Sequence, residues 1–247
     1  MVLILGGTAE AMALAEALAD DPGLRVITSL AGRTRVPARP PGEVRIGGFS
    51  GADGLARYLG ETGVDAVVDA THPFATRISA NARTACRRAG IPLLAIARPG
   101  WTEEPGDIWI TVADEADAAT VLPEGARALL ALGSQRLAAF ARRRDVAFFV
   151  RMVDPPAEKP PLASCRVIVG RPSRSIAAEQ ALLADNRIDH LVCRNSGGEA
   201  SYAKIAAARA LRVPVILIER PKTRGGTAVE TVAAARQWLV DILERRP

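Results

Sequence analysis

Polar side chains follow a buried strand in the stretch DAVVDATHPFATRIS, which holds one of only two histidines in the chain. The apolar run at residues 66–68 predicts a strand, and the Ala-rich segment at about 75–88 predicts a helix. Strands this apolar belong to a buried parallel sheet, where ligands bind at the carboxyl ends of the strands. The turn between strand and helix is therefore predicted to line a site, with the candidate contacts Asp69, Thr71, His72, Pro73 and Phe74.

A glycine turn between a strand and a helix opens the chain. Residues 2–5 predict the strand, and the Ala- and Leu-rich residues 9–19 predict the helix. Glycines let the backbone approach a phosphate, and the start of a helix offers free N–H groups. This predicts a nucleotide contact through Gly6, Gly7, Thr8 and Glu10. The dinucleotide fingerprint G-x-G-x-x-G is absent, so a tight turn without a ligand stays open as an alternative.

The end of the second predicted strand, residues 24–29, bears on the choice of cofactor. In units that bind NAD, a carboxylate near the end of this strand forms hydrogen bonds with the ribose hydroxyls. This segment has no carboxylate. Ser29, Gly32 and Arg33, with Arg35 as a weaker candidate, could instead hold a 2′-phosphate, which favours NADPH/NADP. The alternative is a surface loop with incidental arginines.

His72 is the candidate catalytic side chain, since it could contact the nicotinamide or donate a proton. The alternative is a turn residue that forms a local hydrogen bond beside Pro73. Neither tyrosine is followed by lysine four residues on, so the Tyr-x-x-x-Lys pair of short-chain dehydrogenases is missing. The lack of such a pair is consistent with a bound cofactor that performs the chemical step. The scattered histidines and cysteines predict no metal site.

The second half of the chain places basic and hydrogen-bonding side chains at successive strand ends, in a lining predicted to lack carboxylates. Arginine pairs bidentately with carboxylates, so this lining favours a ligand with several of them. Each basic residue taken alone could be a solvated surface charge. The predicted substrate contacts are Ser134, Gln135, Arg136, Arg151, Lys159, Arg194, Asn195, Ser196, Lys204, Arg220 and Lys222.

The two halves of the chain resemble each other. Leu5-Gly6-Gly7-Thr8 corresponds to Leu132-Gly133-Ser134-Gln135, and the stretch from Asp65 corresponds to the stretch from Asp189. We therefore predict an α/β fold of two Rossmann-like, doubly wound parallel-sheet domains with a cleft between them. The predicted boundaries are 1–112 for the NADP-binding domain and 125–247 for the second domain. The alternative is the general likeness of any two α/β segments.

Local patterns predict further elements of the fold. Helices are expected over 137–144 and 228–244, and Ser50 is expected to cap a helix that begins near residue 52. The Pro-rich stretch 154–164 is predicted to be a loop, and one of this length is often a lid.

Composition narrows the class of protein. The net charge is +5 and only 4% of residues are aromatic, so an anionic small molecule fits at least as well as nucleic acid. Three widely spaced cysteines favour reduced thiols and a cytoplasmic location. No signal peptide or membrane segment is expected, so neither nucleic acid nor a membrane is a predicted partner.

Motifs along nearly the whole chain resemble the precorrin-6A / cobalt-precorrin-6A reductases of cobalamin biosynthesis. They are ILGGTAEA, DATHPFATRISANA, GIPLLAIARPGW, LALGSQRL, RMVDPP, RNSGGEASYAKIAAA and VPVILIERP. Each motif is modestly specific, and the ordered set is highly specific. Two positions depart from the pattern: Arg194 stands where many relatives are expected to have lysine, and Arg212 where glycine is common.

The resemblance implies an NADPH-dependent oxidoreductase that reduces a polycarboxylate tetrapyrrole, with hydride transfer to a ring carbon and protonation of its neighbour. It also implies that the second domain binds the tetrapyrrole, and it permits transient contact with a neighbouring pathway enzyme. The residues leave two alternatives, a non-catalytic NADP-binding sensor and a nucleotide-sugar transferase. They do not decide between a metal-free and a cobalt-containing macrocycle.

Overall fold

The computed structural model describes residues 1–21, 23–32, 38–221 and 225–244. The chain forms two units, Met1–Pro99 with Pro221–Pro247 and Gly100–Arg220. Each unit contains a six-stranded sheet in which every neighbouring pair of strands is parallel. Arg33, Arg35 and Lys222, which the sequence analysis singled out, lie outside the described residues.

The sheet of the first unit has the order β3-β2-β1-β4-β5-β12. The central strands β1 and β4 are buried along their whole length, because they are covered on both faces. The strands are β1 (Val2–Leu5), β2 (Val26–Leu30), β3 (Glu43–Ile46), β4 (Ala66–Asp69), β5 (Leu93–Ile96) and β12 (Thr227–Val229).

Helices cover both faces of the first sheet. Leu14 of α1 and Leu239 of α7 belong to one buried cluster, and Leu55 of α2 and Ala82 of α3 belong to another. This doubly wound arrangement places every strand-to-helix turn at the carboxyl edge of the sheet. The helices are α1 (Ala9–Leu18), α2 (Gly51–Thr62), α3 (Thr76–Ala89) and α7 (Val232–Glu244).

The sheet of the second unit repeats this plan in the order β9-β8-β7-β10-β11-β6. Its strands are β6 (Trp109–Val112), β7 (Arg127–Ala131), β8 (Ala147–Met152), β9 (Cys165–Val169), β10 (His190–Arg194) and β11 (Val215–Ile218). Its α-helices are α4 (Glu115–Val121), α5 (Ile176–Asp185) and α6 (Ala203–Ala210), with 3₁₀ helices over Ser134–Phe140 and Glu199–Ser201.

The prediction of two Rossmann-like parallel-sheet domains is confirmed, but the division of the chain differs from the expected boundaries. Strand β6 pairs with β11 of the second unit, and β12 pairs with β5 of the first. Strand β6 follows β5 in the chain but belongs to the second sheet. Strand β12 follows β11 in the chain but belongs to the first sheet. The boundaries 1–112 and 125–247 assumed that neighbouring segments share a sheet, which these two strands do not.

Three local predictions were also wrong. The segment expected as a helix over 137–144 is a 3₁₀ helix that begins earlier, at Ser134. The segment 228–244 begins with strand β12 before α7 starts. Ser50 precedes α2, but it has a left-handed backbone and its side chain forms no cap. Among the described residues, no helix is long and apolar enough to cross a membrane.

Candidate functional site

The glycine turn of the first unit lies directly after β1, at the carboxyl edge of the sheet. Gly7 has a φ of +105° and no neighbouring atom within 4 Å of where a Cβ would stand, so its backbone is open to a ligand. A Cβ on Gly6 would approach the Thr28 methyl group to 2.9 Å. Gly7 is therefore favoured by its backbone conformation and by the open space beside it. Gly6 is required by close packing against β2.

Thr8 fixes the start of helix α1. Its hydroxyl oxygen accepts from the Ala11 N–H at 3.2 Å, and its hydroxyl donates to the Ala70 carbonyl at 2.6 Å. The second bond joins the glycine turn to the end of β4. The N–H groups of Ala9 and Glu10, which a helix leaves without an internal partner, are the ones that would face a phosphate. This open backbone and free helix start fit the pyrophosphate of a dinucleotide.

The Glu10 carboxylate adds a negative charge beside this turn, and Arg98 compensates it. Arg98 Nη1 donates to Glu10 Oε2 in a largely buried ion pair. The pair links the first turn of α1 to the segment after β5. Glu10 therefore has a structural role in the first unit, and its predicted contact with the cofactor stays a prediction.

The end of β2 contains Ser29, which is 7% exposed, and Gly32, which has a φ of +68°. Ser29 lies opposite Arg45 of β3 in the register of the sheet, and Arg45 Nη1 approaches its hydroxyl oxygen at 3.4 Å. Arg45 is not among the predicted contacts, because it lies inside a strand rather than in the loop that follows one.

The turn after β4 is held by its own side chains. Asp69 is 8% exposed, and its Oδ1 accepts from the Thr71 N–H at 3.1 Å and from the Thr71 hydroxyl at 2.6 Å. His72 Nδ1 accepts from the Phe74 N–H at 3.3 Å, so the neutral ring carries its proton on Nε2. This local bond is the one expected of a turn residue beside Pro73. A catalytic role for His72 stays a prediction.

Arg151 of the second unit forms a buried bidentate ion pair. Its Nη1 and Nη2 donate to Glu179 Oε1 and Oε2 at 3.0 and 2.8 Å, and Glu179 Oε1 also accepts from the Ser173 N–H. The two side chains are only 5% and 2% exposed. The charge of the Arg151 guanidinium is thus compensated inside the protein, so it is a weaker candidate for a substrate carboxylate than its strand-end position suggested.

A second carboxylate lies between two other predicted substrate contacts. Arg194 donates through Nε and Nη2 to Glu115 Oε1 at 3.2 and 2.8 Å, and Arg136 Nε lies 3.9 Å from the same oxygen. The prediction that this lining lacks carboxylates was therefore wrong. An open pocket of about 390 Å³ lies here, lined by Glu115, Arg136 and five neighbours. The Arg136 side chain is half exposed and remains accessible to a ligand.

The turn after β10 is tied to the start of the second unit. Asn195 Oδ1 accepts from the Trp101 N–H at 2.7 Å, and Asn195 Nδ2 donates to the Trp101 carbonyl at 3.0 Å. The Asn195 carbonyl accepts from Arg220 Nε at 2.7 Å. Ser196 is buried, with its hydroxyl 3.5 Å from that of Ser201. The amide of Asn195 therefore holds the fold together rather than pointing to a ligand.

Lys204 is a buried cation at the start of α6. Its Nζ donates to the Ser201 carbonyl at 2.7 Å and lies 4.5 Å from the centroid of the Trp101 ring. Burial lowers the pKa of the Lys204 ammonium below its ordinary value. Burial also raises the pKa of the nearby Cys193 thiol to about 11, so this cysteine is an unreactive thiol.

The remaining predicted substrate contacts, Ser134, Gln135 and Lys159, are exposed. The two acidic partners, Glu115 and Glu179, are the main residues that sequence reasoning missed. Both lie in the first turn of a helix that leaves the carboxyl edge of the sheet. That position was the available signal, because an acidic residue there faces the same edge as the strand ends.

The family comparison agrees with this architecture and with the motifs at the strand ends. The model of the family "Precorrin-6x reductase CbiJ/CobK" matches residues 1–240. The chain belongs to this family.

Individual members of the family match along the whole chain. The precorrin-6A reductase of Rhodococcus erythropolis is 50% identical over 246 residues, covering 99% of both chains. The precorrin-6A reductase of Mycobacterium tuberculosis is 43% identical with the same coverage. The cobalt-precorrin-6A reductase of Priestia megaterium is 29% identical over 98% of both chains.

A solved structure of a family member has the same fold. The structure described as CobK precorrin-6A reductase superposes with a TM-score of 0.93 at 42% identity, covering 98% of this chain and 96% of that one.

Proposed function

We propose that this chain is a precorrin-6A reductase of cobalamin biosynthesis and that its reductant is NADPH. The observation that carries the proposal is the full-length match to enzymes of that name, both in sequence and in fold. The open glycine turn and the start of α1 support a dinucleotide in the first unit. Bound NADPH would supply the hydride that this chain's own side chains cannot.

The proposal assigns the dinucleotide to the first unit and the tetrapyrrole to the second. In the first unit, Gly6, Gly7 and the helix start would bind the pyrophosphate, and the turn from Asp69 to Phe74 would contact the nicotinamide. In the second, Arg136, Arg194 and the exposed Lys159 provide the cations that a polycarboxylate macrocycle requires, whereas the buried Lys204 is a weaker candidate. Glu115 would orient Arg136 and Arg194 toward such a ligand.

We propose the metal-free macrocycle as the substrate. The relatives named precorrin-6A reductase are 42–50% identical to this chain, whereas those named cobalt-precorrin-6A reductase are 26–29% identical. The cytoplasmic location and a transient contact with a neighbouring pathway enzyme are further proposals. The three free thiols, Cys86, Cys165 and Cys193, support a reducing compartment.

Anaerobic assays of the purified chain test this proposal. NADPH oxidation is expected only when precorrin-6A is added, with slower turnover of cobalt-precorrin-6A and slower use of NADH. No turnover with either macrocycle would refute the enzyme assignment. Faster turnover of the cobalt form would refute only the choice of substrate.

A thermal-shift screen separates the two other classes of function. NADPH and a tetrapyrrole are both expected to raise the melting temperature more than a nucleotide-sugar does. Tight binding of NADPH without any turnover would favour a sensor, and a preference for the nucleotide-sugar would favour a transferase.

A further inference from the structure

The guanidinium of Arg45 is held in one position at the carboxyl edge of the first sheet. Its Nη1 donates to the Gly47 carbonyl at 2.7 Å, and its Nη2 donates to the Gly48 carbonyl at 2.6 Å. The guanidinium carbon lies 3.8 Å from the centroid of the Phe49 ring and 5.3 Å from that of Tyr58. Carbonyl groups on one side and aromatic faces on the other therefore fix this cation before any ligand binds.

The charge of Arg45 is not neutralised by a carboxylate within the described part of the chain. Arg25 and Arg98 of the first unit, in contrast, have acidic partners, Glu43 and Glu10 respectively. Arg45 instead bonds to neutral acceptors and packs on aromatic rings. A guanidinium has five N–H donors, and the protein uses three of them here, one in a long contact to Ser29. A fixed and uncompensated cation with free donors is suited to an anion.

The position of Arg45 beside the end of β2 favours one kind of anion, the 2′-phosphate of a dinucleotide. In dinucleotide-binding units the ribose next to the adenine lies at the end of the second strand, where an arginine accommodates a 2′-phosphate. Arg45 is the register partner of Ser29, at the end of that strand. The Ser29 hydroxyl lies 3.4 Å from Arg45 Nη1, so both side chains can meet the same phosphate.

We propose that Arg45, together with Ser29, binds the 2′-phosphate of NADPH and gives the protein its preference over NADH. This inference rests on the proposed cofactor and adds a residue of β3 that the sequence analysis did not select. The two carbonyls and the Phe49 ring pre-organise the guanidinium, so little side-chain entropy is lost when the phosphate binds.

Nucleotide binding to the full chain tests the proposal without precorrin. Isothermal titration with 2′,5′-ADP and with 5′-AMP gives the ratio of their affinities, which isolates the 2′-phosphate. The parent protein is expected to prefer 2′,5′-ADP, and Arg45→Met is expected to reduce that preference about 10- to 100-fold. Arg45→Lys keeps the charge and should restore part of it. Arg25→Met is the matched control, because Arg25 precedes β2 at the end opposite to Ser29, and it should leave the ratio unchanged.

The outcomes that overturn the proposal are distinct from failure of the enzyme assignment. Equal loss of affinity for both nucleotides in Arg45→Met would show a purely structural role, and an unchanged ratio would exclude Arg45 from the phosphate site. If Arg45→Met does not fold, the same ratio measured on Arg45→Lys decides, since loss of the guanidinium fork should still reduce it. A protein that discriminates the nucleotides but does not reduce precorrin-6A would refute the activity alone.

Discussion

The turns after β4 and β10 occupy corresponding places in the two sheets, yet their polar groups have different partners. In the first, the Asp69 carboxylate bonds to Thr71 two residues away. In the second, the Asn195 side chain bonds to Trp101, which lies 94 residues away in the chain. A change at a side chain bonded within its own turn is expected to disturb distant segments less than a change at one that bonds across the chain.

Arginines at these edges differ in how their charge is balanced. In the second unit the buried Arg151 and the half-buried Arg194 are each paired with a glutamate from a helix start. In the first unit Arg98 is paired in the same way with Glu10 of α1, whereas Arg45 is held by carbonyls and rings. A buried, paired arginine is expected to affect mainly stability, whereas a more accessible one is expected to affect ligand binding.

Breaking the buried pair should have the largest effect. Arg151→Met leaves the Glu179 carboxylate without its partner, so the free energy of unfolding should fall by about 3–5 kcal/mol in urea denaturation. The double variant Arg151→Met, Glu179→Leu should recover much of that loss, because no uncompensated charge remains. Equal losses in the single and double variants would contradict this account. An Arg151 variant is for this reason a poor probe of substrate binding.

The partly exposed arginines should report on the substrate more cleanly. Arg194→Ala and Arg136→Ala should each weaken tetrapyrrole binding by about 1.5–3 kcal/mol through the lost charge-assisted contact. Affinity for NADPH, measured by titration on the same samples, should stay within about twofold of the parent. Loss of NADPH affinity with unchanged tetrapyrrole binding would mean that the units are assigned in the wrong order.

The two turns can be compared directly by stability. Asn195→Ala removes both bonds to the Trp101 backbone and should lower the free energy of unfolding by about 1–3 kcal/mol. Thr71→Val is the matched change in the other turn, and it should cost less because the hydroxyl loses one bond to Asp69 and one long contact with Ser79, both close in the chain. A larger loss for Thr71→Val than for Asn195→Ala would overturn the view that the bond across the chain matters more.

The smallest expected effect is on the pH dependence of the free energy of unfolding. Burial lowers the pKa of Lys204 in the folded chain, so the unfolded chain binds more protons between that lowered pKa and the ordinary one. The contribution of Lys204 to the free energy of unfolding should therefore become more favourable as the pH rises toward about 10.5. The difference in unfolding free energy between the parent and Lys204→Met should shift in the parent's favour over this range. Parallel pH profiles would show that the ammonium is not destabilised by burial.

A prediction made from the sequence concerns Arg33. If this side chain shares the 2′-phosphate, Arg33→Ala should raise the KM for NADPH far more than the KM for NADH. Equal effects on both cofactors would refute this role for Arg33. A loss of the NADPH preference in Arg45→Met but not in Arg33→Ala would assign the phosphate to Arg45 without Arg33.

The repeating strand–turn–helix plan could be predicted because buried parallel strands are apolar throughout and their turns are polar. The pairing of the sixth strands could not, since β12 has only three residues, is mostly exposed and runs into an Ala-rich helix. Its partner β5 is distant in sequence, and no local pattern encodes that pairing.

The positions of the site residues could likewise be predicted, but their partners could not. Strand ends share one edge of a parallel sheet, which correctly grouped residues such as Arg151 and Arg194 with the other strand ends of the second unit. Whether each cation meets a carboxylate depends on which way the following helix presents its first turn, as Glu179 and Glu115 show. That geometry arises from packing and is not visible in spacing along the chain.

The late position of β12 also has a consequence for synthesis on the ribosome. The unit Gly100–Arg220 is continuous in the chain and can be completed as soon as it emerges. The first sheet waits for Thr227–Val229 to pair with β5 and for α7 to cover its core with Ala235 and Leu239. Until then the edge of β5 has unpaired backbone groups, which favour aggregation. Truncation before residue 227 should therefore destabilise the first unit, which contains Met1–Pro99, more than the unit Gly100–Arg220.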